Sequence, residues 1–562
     1  MKDYLCLTKT LLVTFFRPNK QSGKERVVSY VVLIALGALV AAGIAVAFAF
    51  MGPLFAEVGV VAEAATLIFE MGFVIVLIFG TIGIFSYVYF AKDSEFLFSL
   101  PVRNSTVYLS KLTVVYFQEF LISTLLMLPG LIALGISTGQ TVLFYVMILL
   151  AVTLVPVCPL FLSSLIAIPM MTIASYFKNK GAVSAILLIL LFAVAMGVYM
   201  YFVMSVQTDQ PTGEDITMEE LTAMLQGVLG NIARVLFPLY SLARFGTLTA
   251  GFVANIPASV MIDLAIFLGT VAAGAVITIV VSGAVYGRSV LKQNEHAQNT
   301  AATGREYVQG SALKALVKKE WRELVRNTSF AFQCLSGVII GPVFAVIFML
   351  FMSNGDMGLG IEFVFAWFVT LIIVQMMSAS LNQSATTGIT REGTSFAYSK
   401  SMPVPYSTQM LAKVIVSDAI SIVTVVLSVI AMTVTAAVRF GYVDVLAVVL
   451  TFIFLIVYCM TYNNFCLIRD AKKPKLDWVT PREAIKGNVT IMVPTLIGFG
   501  ISLIIGIALV VVAIAFTYYF DMQTLGILVG LSPVIIVCAV LLFISGNRIK
   551  NNADSLYANL TV

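Results

Sequence analysis

Four acidic side chains interrupt otherwise apolar stretches of the sequence and are its first candidates for chemistry. Glu70, Glu119, Asp263 and Asp418 each lie inside an apolar run long enough to cross a membrane. A carboxylate is costly there, so we expect each one to face a helix bundle, water or an interface. Such acids either carry protons or ions along a transport path or form hydrogen bonds between helices. The sequence leaves both roles open for Glu119, Asp263 and Asp418.

Two motifs that would indicate catalysis are absent from the sequence. Neither a Gly-x-x-x-x-Gly-Lys-Ser/Thr phosphate loop nor a His-Glu-x-x-His metal site occurs, and His296 is the only histidine. The six cysteines lie in or beside apolar segments, without metal-ligand spacing. We therefore expect no enzymatic activity, no bound cofactor or metal, and no nucleic-acid partner for this chain.

Composition predicts an all-α polytopic membrane protein in the lipid bilayer. Of its 562 residues, 60% are hydrophobic and only 11% are charged, with a mean hydropathy of +1.02. Apolar runs of about 20 residues cross a bilayer as helices, because the backbone must satisfy its own polar groups there. We predict twelve spans, near residues 28–54, 61–90, 107–136, 141–174, 182–206, 256–286, 329–353, 361–386, 409–438, 441–467, 489–519 and 523–547.

A thirteen-residue motif occurs twice, 302 positions apart. Ser99–Lys111 and Ser401–Lys413 are identical at seven of thirteen positions, and each copy follows one long apolar segment and opens another. Its proline favours a break between helices, Ser105 or Thr106 can cap the helix that follows, and the terminal lysine can reach the headgroups. We therefore expect the motif to be a loop between spans that is used twice.

The order of segments repeats as well. In each half, an amphipathic helix that suits the membrane surface precedes two spans, the motif and four further spans. We therefore expect two parallel six-helix halves, at 1–286 and 313–562, joined by a cytosolic linker at 287–312. The first half also contains an acidic segment at 207–255, where we expect an external helical element.

Basic residues indicate the side of the membrane on which each loop lies. Placing the termini and both motif copies on one side collects 30 of the 33 Lys and Arg residues there, and leaves only Arg234, Arg244 and Arg439 opposite. Cytoplasmic loops are enriched in Lys and Arg. We therefore expect a multi-pass protein of the cell membrane, with both termini and both motif copies in the cytoplasm.

The segments just before the two motif copies combine charged and aromatic side chains. The side chains concerned are Asp93, Glu95, Phe96 and Phe98 before the first copy, and Arg391, Glu392, Phe396 and Tyr398 before the second. Turn chemistry explains the motif itself, but it does not explain this combination on the cytosolic side. We therefore expect these eight side chains to form two docking surfaces for a partner protein.

The two halves resemble the permease subunits of type-2 ABC exporters, and in particular the large fused permeases of Gram-positive bacteria. The resemblance rests on the amphipathic helix before the first span, on Glu95–Val102 with its second copy, and on the external segment, which the second half lacks. In such permeases a coupling helix between the second and third spans inserts into an ATPase subunit. The resemblance implies two separate ABC ATPase subunits, which would bind ATP and Mg, at the two docking surfaces.

A basic loop late in the chain is a candidate for a second ATPase contact. Residues 469–486 include six basic and three acidic side chains. Part of this loop is similar to segments of the same fused permeases, which implies a contact through Arg469, Asp470, Lys473 and Trp478. The alternative is a solvated basic loop that lies against lipid.

The sequence therefore predicts the permease of an ATP-driven exporter whose substrate is unknown. The alternative is an ion- or proton-coupled secondary transporter that uses Glu119, Asp263 and Asp418, and a membrane scaffold without transport activity is a third hypothesis. An ATPase that co-purifies with the chain would distinguish the first hypothesis from the other two.

Overall fold

The computed structural model contains helices and connecting turns, and no strand, over the residues that it describes. Those residues are 2–16, 23–89, 94–175, 236–248, 258–298, 310–352, 362–478, 489–520 and 523–558, with a few positions between 183 and 233 and residues 484 and 560. Their α-helices are α1 Lys2–Phe16, α2 Gly23–Val58, α3 Val61–Ile84, α4 Ser94–Ser99, α5 Asn104–Ser137, α6 Val142–Leu154, α7 Val157–Ser175, α8 Phe237–Leu248, α9 Ala258–Gln298, α10 Ala312–Arg326, α11 Thr328–Leu335, α12 Gly337–Met352, α13 Glu362–Gln375, α14 Phe396–Ser401, α15 Tyr406–Phe440, α16 Val445–Lys472, α17 Val489–Phe520 and α18 Gln523–Ala558.

Eleven helical segments of the described part are long and apolar enough to cross a membrane, which confirms the all-α polytopic fold. These segments are Val40–Val58, Val61–Tyr89, Asn104–Ser137, Phe144–Ala174, Met261–Gly283, Phe330–Leu350, Phe363–Ser380, Tyr406–Phe440, Val445–Lys472, Val493–Phe516 and Gly526–Tyr557. They match eleven of the twelve predicted spans. The remaining span, predicted at 182–206, and most of the element predicted at 207–255 lie outside the described residues, although α8 falls within the latter range.

The chain divides into two compact units. The first unit contains Met1–Lys178 and Tyr201–Ala301, and the second contains Asn179–Met200 and Ala302–Val562. The boundary at residue 301 falls inside the predicted linker. The first part of the linker is also helical, because α9 continues to Gln298 through a stretch without proline or glycine after Gly287.

Each unit has its own internal apolar core. In the first unit Phe69, Met127 and Phe144 are fully buried together, and in the second unit Trp367 and Phe454 have the same role. The indole N–H of Trp367 needs a partner inside that core and donates to the Thr451 hydroxyl at 3.0 Å. The spans are therefore packed as two separate helix bundles, each with a buried centre.

The helices that lead to the two motif copies both end in a π-turn, at Phe85–Tyr89 after α3 and at Met376–Ser380 after α13. The segments that follow differ in length, because four residues separate the first π-turn from α4 and fifteen separate the second from α14. The predicted span at 361–386 therefore ends early, at Ser380. The extra residues of the second unit form an irregular segment at the approach to its motif.

Candidate functional site

The two motif copies fold in the same way around a six-residue helix. The short helices α4 and α14 lie 302 positions apart, and the first residues of α5 and α15 have the same separation. The Ser99 hydroxyl donates to the Phe96 carbonyl at 2.7 Å, and the Ser401 hydroxyl donates to the Tyr398 carbonyl at 3.0 Å. Each copy is therefore a short helix closed by its own serine, a turn and the start of a long span.

The hydroxyls and lysines of the motif do not have the roles that the sequence predicts. Arg103 precedes α5 and its side chain makes no capping hydrogen bond, so neither Ser105 nor Thr106 caps the helix. Lys111 and Lys413 do not extend to the headgroup level, because both side chains lie buried on the inner face of their helices. The end of the motif therefore carries a buried positive charge in each unit.

Each short helix carries one strongly exposed aromatic side chain. Phe96 on α4 is 66% exposed and Tyr398 on α14 is 75% exposed, and the two occupy the same position relative to the motif. Both helices lie outside the membrane-spanning segments. Glu95 and Phe98 share α4 with Phe96, whereas Asp93 lies outside the described residues. An aromatic ring that is exposed outside a span is available to a partner protein, and aromatic side chains are enriched among the residues that dominate binding energy at interfaces.

Three of the predicted docking side chains are not at the surface. Arg391, Glu392 and Phe396 are buried, so the prediction that they face outward is wrong. The two charged groups are taken up by ion pairs inside the unit, and Phe396 packs against Tyr557 of α18 with ring centroids 5.3 Å apart. Among the predicted residues whose exposure is described, Phe96 and Tyr398 alone remain available to a partner.

A polar loop of twelve consecutive buried residues, 382–393, precedes α14, and we call it the buried loop. Its sequence is rich in amide and hydroxyl side chains, which bond within the loop. Asn382 Oδ1 accepts from the Ser384 N–H at 3.2 Å, and the hydroxyls of Thr386 and Thr387 donate to the Gln383 carbonyl. Irregular backbone is tolerated in a membrane protein where surrounding protein satisfies its polar groups, and this loop fulfils that condition.

Glu320 connects the amphipathic helix α10 to the buried loop and to α15. It lies on the packed face of α10 between the buried side chains of Leu316 and Leu324. One carboxylate oxygen contacts Lys413 Nζ at 2.8 Å, and the other contacts Arg391 Nη2 at 3.1 Å. Glu320, Arg391 and Lys413 are all nearly inaccessible to solvent. Such charge-assisted hydrogen bonds fix the relative positions of the three elements.

Glu392 extends the same network to the short helix α14. Its Oε1 lies 2.6 Å from Lys413 Nζ and 3.0 Å from Lys319 Nζ. Lys319 also donates to the hydroxyl of Ser399, on α14, at 2.7 Å. We call Lys319, Glu320, Arg391, Glu392 and Lys413 the charge network. It joins α10, the buried loop, α14 and the first turns of α15.

The charges of the network determine the protonation of its members. Burial by itself raises the pKa of Glu392, but the ammonium groups of Lys413 and Lys319 outweigh it and hold this pKa at about 2. Burial lowers the pKa of Arg391, but Glu320, Cys334 and Glu323 together outweigh this effect and raise it above its ordinary value. Burial and then the nearby Glu320 charge raise the pKa of Glu323. Glu392 and Arg391 are therefore ionised at neutral pH.

Three carboxylates, two of which belong to the charge network, lie close enough together to hold a metal ion. Oxygen atoms of Glu320, Glu323 and Glu392 lie within 4.8 Å of one another. The Lys413 ammonium contacts two of these three groups at 2.8 and 2.6 Å, which is where a metal ion would be held. The arrangement therefore suits a network of ion pairs, in which lysine supplies the positive charge.

The buried loop is also held from the far end of α16. Asp470 accepts hydrogen bonds from the backbone N–H groups of Ile389 at 2.6 Å and Thr390 at 3.1 Å, and from the Thr390 hydroxyl at 2.6 Å. The Trp478 indole donates to the Thr390 carbonyl at 2.7 Å, and its ring packs against Phe330 at 5.8 Å. The buried loop is thus hydrogen-bonded to Asp470 and Trp478, in addition to its ion pairs with α10 and α15.

The structure revises the prediction that Arg469, Asp470, Lys473 and Trp478 form a second contact with an ATPase. Asp470 is fully buried and Trp478 is partly buried, so both act inside the unit instead of on a docking surface. Their partners are the loop atoms just described, which explains why these two side chains point inward. Arg469 is half-buried and Lys473 is exposed. Lys473 therefore remains the most accessible of the four predicted contact residues.

The intramembrane acids are not brought together in one site. Glu119 and Asp263 belong to the first unit and Asp418 to the second, and all three are buried. Asp263 Oδ2 lies 3.6 Å from Arg244 Nε, which gives it a cationic partner on α8. Asp418 Oδ1 accepts a hydrogen bond from Asn463 Nδ2 at 2.9 Å. Asp418 thus has the helix-to-helix hydrogen bond that the sequence left open as one of its roles.

Sequence reasoning missed the central residue of the charge network, although a signal for it exists. Glu320 lies four residues from both Leu316 and Leu324, so it occupies the apolar stripe of the amphipathic helix α10. An acid in that stripe must be buried with a cation or break the stripe. The basic residues of α10 indicate its polar face, whereas Glu320 lies in the apolar stripe.

Comparison with known proteins gives one match. The family model described as a membrane protein of 12 TMs matches residues 258–546, which are 289 of the 562 residues and include the whole charge network. No curated protein and no solved structure matches the chain.

Proposed function

This chain belongs to the family of membrane proteins with 12 transmembrane helices, and we propose that it is the transmembrane permease subunit of an ATP-driven ABC transporter. One observation carries the proposal. The short helices α4 and α14 present an aromatic side chain, Phe96 or Tyr398, at the same position before each motif copy. Two equivalent exposed positions outside the membrane provide docking sites for two ATPase subunits.

The attachment of α14 explains how a docked ATPase would move the membrane helices. Ser399 of α14 is bonded to Lys319 of α10, and Glu392, just before α14, is bonded to Lys413 of α15. A displacement of α14 therefore acts on α10 and α15 through charged hydrogen bonds, which are shorter and stronger than neutral ones. In this mechanism closure of the ATPase pair moves α14, and α15 carries the motion into the bundle.

The side of the membrane on which the ATPase subunits dock follows from the charge distribution. The side rich in Lys and Arg is the cytoplasmic one, so both motif copies and both termini lie in the cytoplasm of a cell with this protein in its plasma membrane. The ATPase subunits bind ATP and Mg, and the permease itself binds neither. The direction of transport is export, and the substrate passes between helices of the permease.

Co-purification tests the docking proposal directly. The tagged chain is produced in its native cells, solubilised and captured, and the ABC ATPase subunits captured with it are quantified. We expect Phe96→Ala with Tyr398→Ala to reduce the captured ATPase at least tenfold, because both copies lose the side chain that the partner covers. ATPase activity of the captured complex should fall in parallel.

A matched control separates docking from general damage. Phe543 is 71% exposed but lies in the span of α18, so Phe543→Ala removes a similarly exposed ring from a lipid-facing position. This variant should retain the ATPase. Full recovery of ATPase with the double variant at wild-type expression would contradict the proposal, as would equal losses in the double variant and the control.

A further inference from the structure

A second polar cluster lies inside the second unit, between α15, α16 and the buried loop. Asn463 Nδ2 donates to Asp418 Oδ1 at 2.9 Å and to Ser421 Oγ at 3.1 Å. Asn382 Nδ2, at the start of the buried loop, donates to Ser421 Oγ at 2.8 Å and to the Ser417 carbonyl at 3.0 Å. These side chains are all buried. The two amides therefore supply the donors, and Asp418 is the single acid that they surround.

No cation compensates the charge of Asp418 among the residues that the structure describes. Lys413 precedes it by five residues on α15, but its ammonium is held by Glu320, Glu392 and the Gly388 carbonyl. The other cations of that region, Arg391 and Lys319, are paired with the same two glutamates. An ionised carboxylate without a cation is strongly disfavoured at a buried position in a membrane bundle.

The other titratable groups on the elements packed against α15 form no ion pair with Asp418 within the part of the chain that the structure describes. These groups are Tyr458, Cys459, Tyr462, Cys466, Arg469, Asp470 and Lys472 of α16, Lys314, Lys318, Glu320, Arg322, Glu323 and Arg326 of α10, Cys334 of α11, Glu362 of α13, and Cys538, Arg548, Lys550, Asp554 and Tyr557 of α18, while the sequence of α12 contains none. Tyr458 contacts the Ser502 hydroxyl, and Tyr462 donates to the Pro494 carbonyl. Neutralisation of Asp418 must therefore come from outside this set of side chains.

Asn463 also has a buried acceptor that requires a donor. Its Oδ1 atom has no hydrogen-bond partner within the described part of the chain. A buried carbonyl oxygen without a partner costs roughly 1–3 kcal/mol, so such atoms are rare in folded proteins. Protonation of Asp418 would remove its uncompensated charge and would also supply a donor for Asn463 Oδ1. The added proton cancels the charge and gives the acid an O–H group beside this amide.

We propose that Asp418 binds one exchangeable proton, and that the resulting carboxylic acid pairs with the side-chain amide of Asn463. The proton comes from water, the carboxylate becomes neutral, and no other bond changes. In the first unit the position 302 residues earlier is Tyr116, whose hydroxyl donates to the Thr153 carbonyl. The proton site therefore belongs to the second unit, and it goes beyond the proposed ATPase-driven function because it needs no partner subunit.

The segment that enters the buried loop supports a role in handling protons. Ser378 Oγ in the π-turn and Gln383 Oε1 directly after Asn382 are buried without partners among the described residues. π-turns inside helices occur frequently at functional sites. Buried polar atoms without protein partners are usual places for bound water. Water at these atoms would supply protons close to the cluster.

Infrared spectroscopy on the reconstituted chain tests the proposal without an ATPase or a substrate. The carbonyl stretch of a protonated carboxylic acid is separate from that of a carboxylate. We expect wild-type protein to show a carboxylic-acid band that titrates reversibly with pH. Asp418→Asn, which preserves the shape, should lose one acid per chain, and Asp418→Glu should restore a band at a shifted frequency.

Two further variants make the assignment specific. Asp263→Asn removes a buried acid that already has the Arg244 cation, so it should leave the titrating band unchanged. Asn463→Leu removes the amide partner, so the band should remain but move to the frequency of a more weakly bonded acid. The proposal is overturned if the wild type has no titrating acid band, or if that band persists in Asp418→Asn. A band lost in Asp263→Asn and retained in Asp418→Asn has the same consequence.

Discussion

The two motif copies have the same backbone but different surroundings, and the contrast lies at their final lysines. Lys413 is enclosed by Glu320 and Glu392, whereas Lys111 lies over the Tyr87 ring, with its Nζ 5.9 Å from the ring centroid. The ninth residue of α10 is Glu320, and the ninth residue of α1, which has the same length, is Thr10. The docking helix α14 is therefore attached to its unit by a buried charge network that includes acids from α10 and the buried loop. The first unit, which contains the docking helix α4, has a threonine instead of an acid at the ninth residue of its amphipathic helix.

The difference suggests that the two docking helices, α4 and α14, need not be connected equally strongly to the spans of their units. In the second unit ion pairs connect the residues beside α14 to α15. The segment between the π-turn and α14 is also eleven residues longer than the segment between the π-turn and α4. In the first unit the Lys111 ammonium lies over the Tyr87 ring instead. We expect the second unit to respond most strongly to changes in buried charge. The following predictions are arranged from the largest expected effect to the smallest.

The largest effect should come from Glu320→Gln. This change leaves Arg391 and Lys413 buried with one carboxylate fewer, and removing one partner of a buried ion pair costs about 3–5 kcal/mol. Thermal unfolding in detergent should show a much lower Tm. Thr10→Ala, at the corresponding position of α1, should change the free energy of unfolding by less than about 0.5 kcal/mol because Thr10 is exposed. Equal shifts in the two variants would remove the contrast between the units.

A backbone change should show how tightly the buried loop is packed. Gly393 has φ 53° and ψ −133°, and a Cβ there would lie 2.9 Å from the Trp478 ring. Gly393→Ala should therefore cost about 1–3 kcal/mol from backbone strain, with the clash in addition. Gly139 in the first unit has φ 63° but no atom within 4 Å of its Cβ position, so Gly139→Ala should cost less. Both are measured by denaturant or thermal unfolding, and an equal cost would show that the loop yields freely.

A smaller effect is expected from Trp478→Phe. The change keeps an aromatic ring against Phe330 but removes the indole donor from the Thr390 carbonyl. Loss of one hydrogen bond of this kind costs about 1 kcal/mol. Hydrogen exchange should report faster exchange at residues 389–391, with little change in the first unit. Unaltered exchange in the loop would mean that Asp470 alone holds this segment.

The smallest effect should be the response to mild acid. The pKa of Glu392 is lowered from 4.5 to about 2 by Lys413 and Lys319, against the effect of its burial. A lowered pKa in the folded state stabilises the fold above the unfolded pKa, and the contribution is lost as pH falls through about 4.5 towards 2. The Glu392 contribution to stability should therefore be unchanged between pH 7 and 5. The difference in Tm between the wild type and Glu392→Gln measures it, and a difference that shrinks already above pH 5 would contradict the assignment.

Sequence reasoning succeeded where the signal is local. Apolar runs located eleven spans of the described part, and the repeated prolines and serines located the turns before α5 and α15. It also selected Phe96 and Tyr398, because an aromatic before a motif copy is visible in a short window. These features depend on neighbouring residues and on hydropathy, which a single sequence contains in full.

The burial of Arg391 and Glu392 was not predictable in that way. Their partners are Glu320, 71 residues before Arg391, and Lys413, 21 residues after Glu392. A charged pair within a polar segment is normally solvated, so composition favours exposure. The decisive contacts are tertiary, and the same holds for Asp470, which binds backbone atoms 80 and 81 residues earlier.

The span of these contacts along the chain has a consequence for biogenesis. The buried loop is bonded to α10 before it and to α16 after it, Phe396 packs against Tyr557, and Lys400 donates to the Leu560 carbonyl at 2.8 Å. Membrane helices emerge from the ribosome one after another, so the residues that complete this assembly are translated about 160 positions after α14 begins. During that interval Phe396 lacks the Tyr557 ring against which it packs. The second unit can therefore complete the packing around α14 only after α18 has been made.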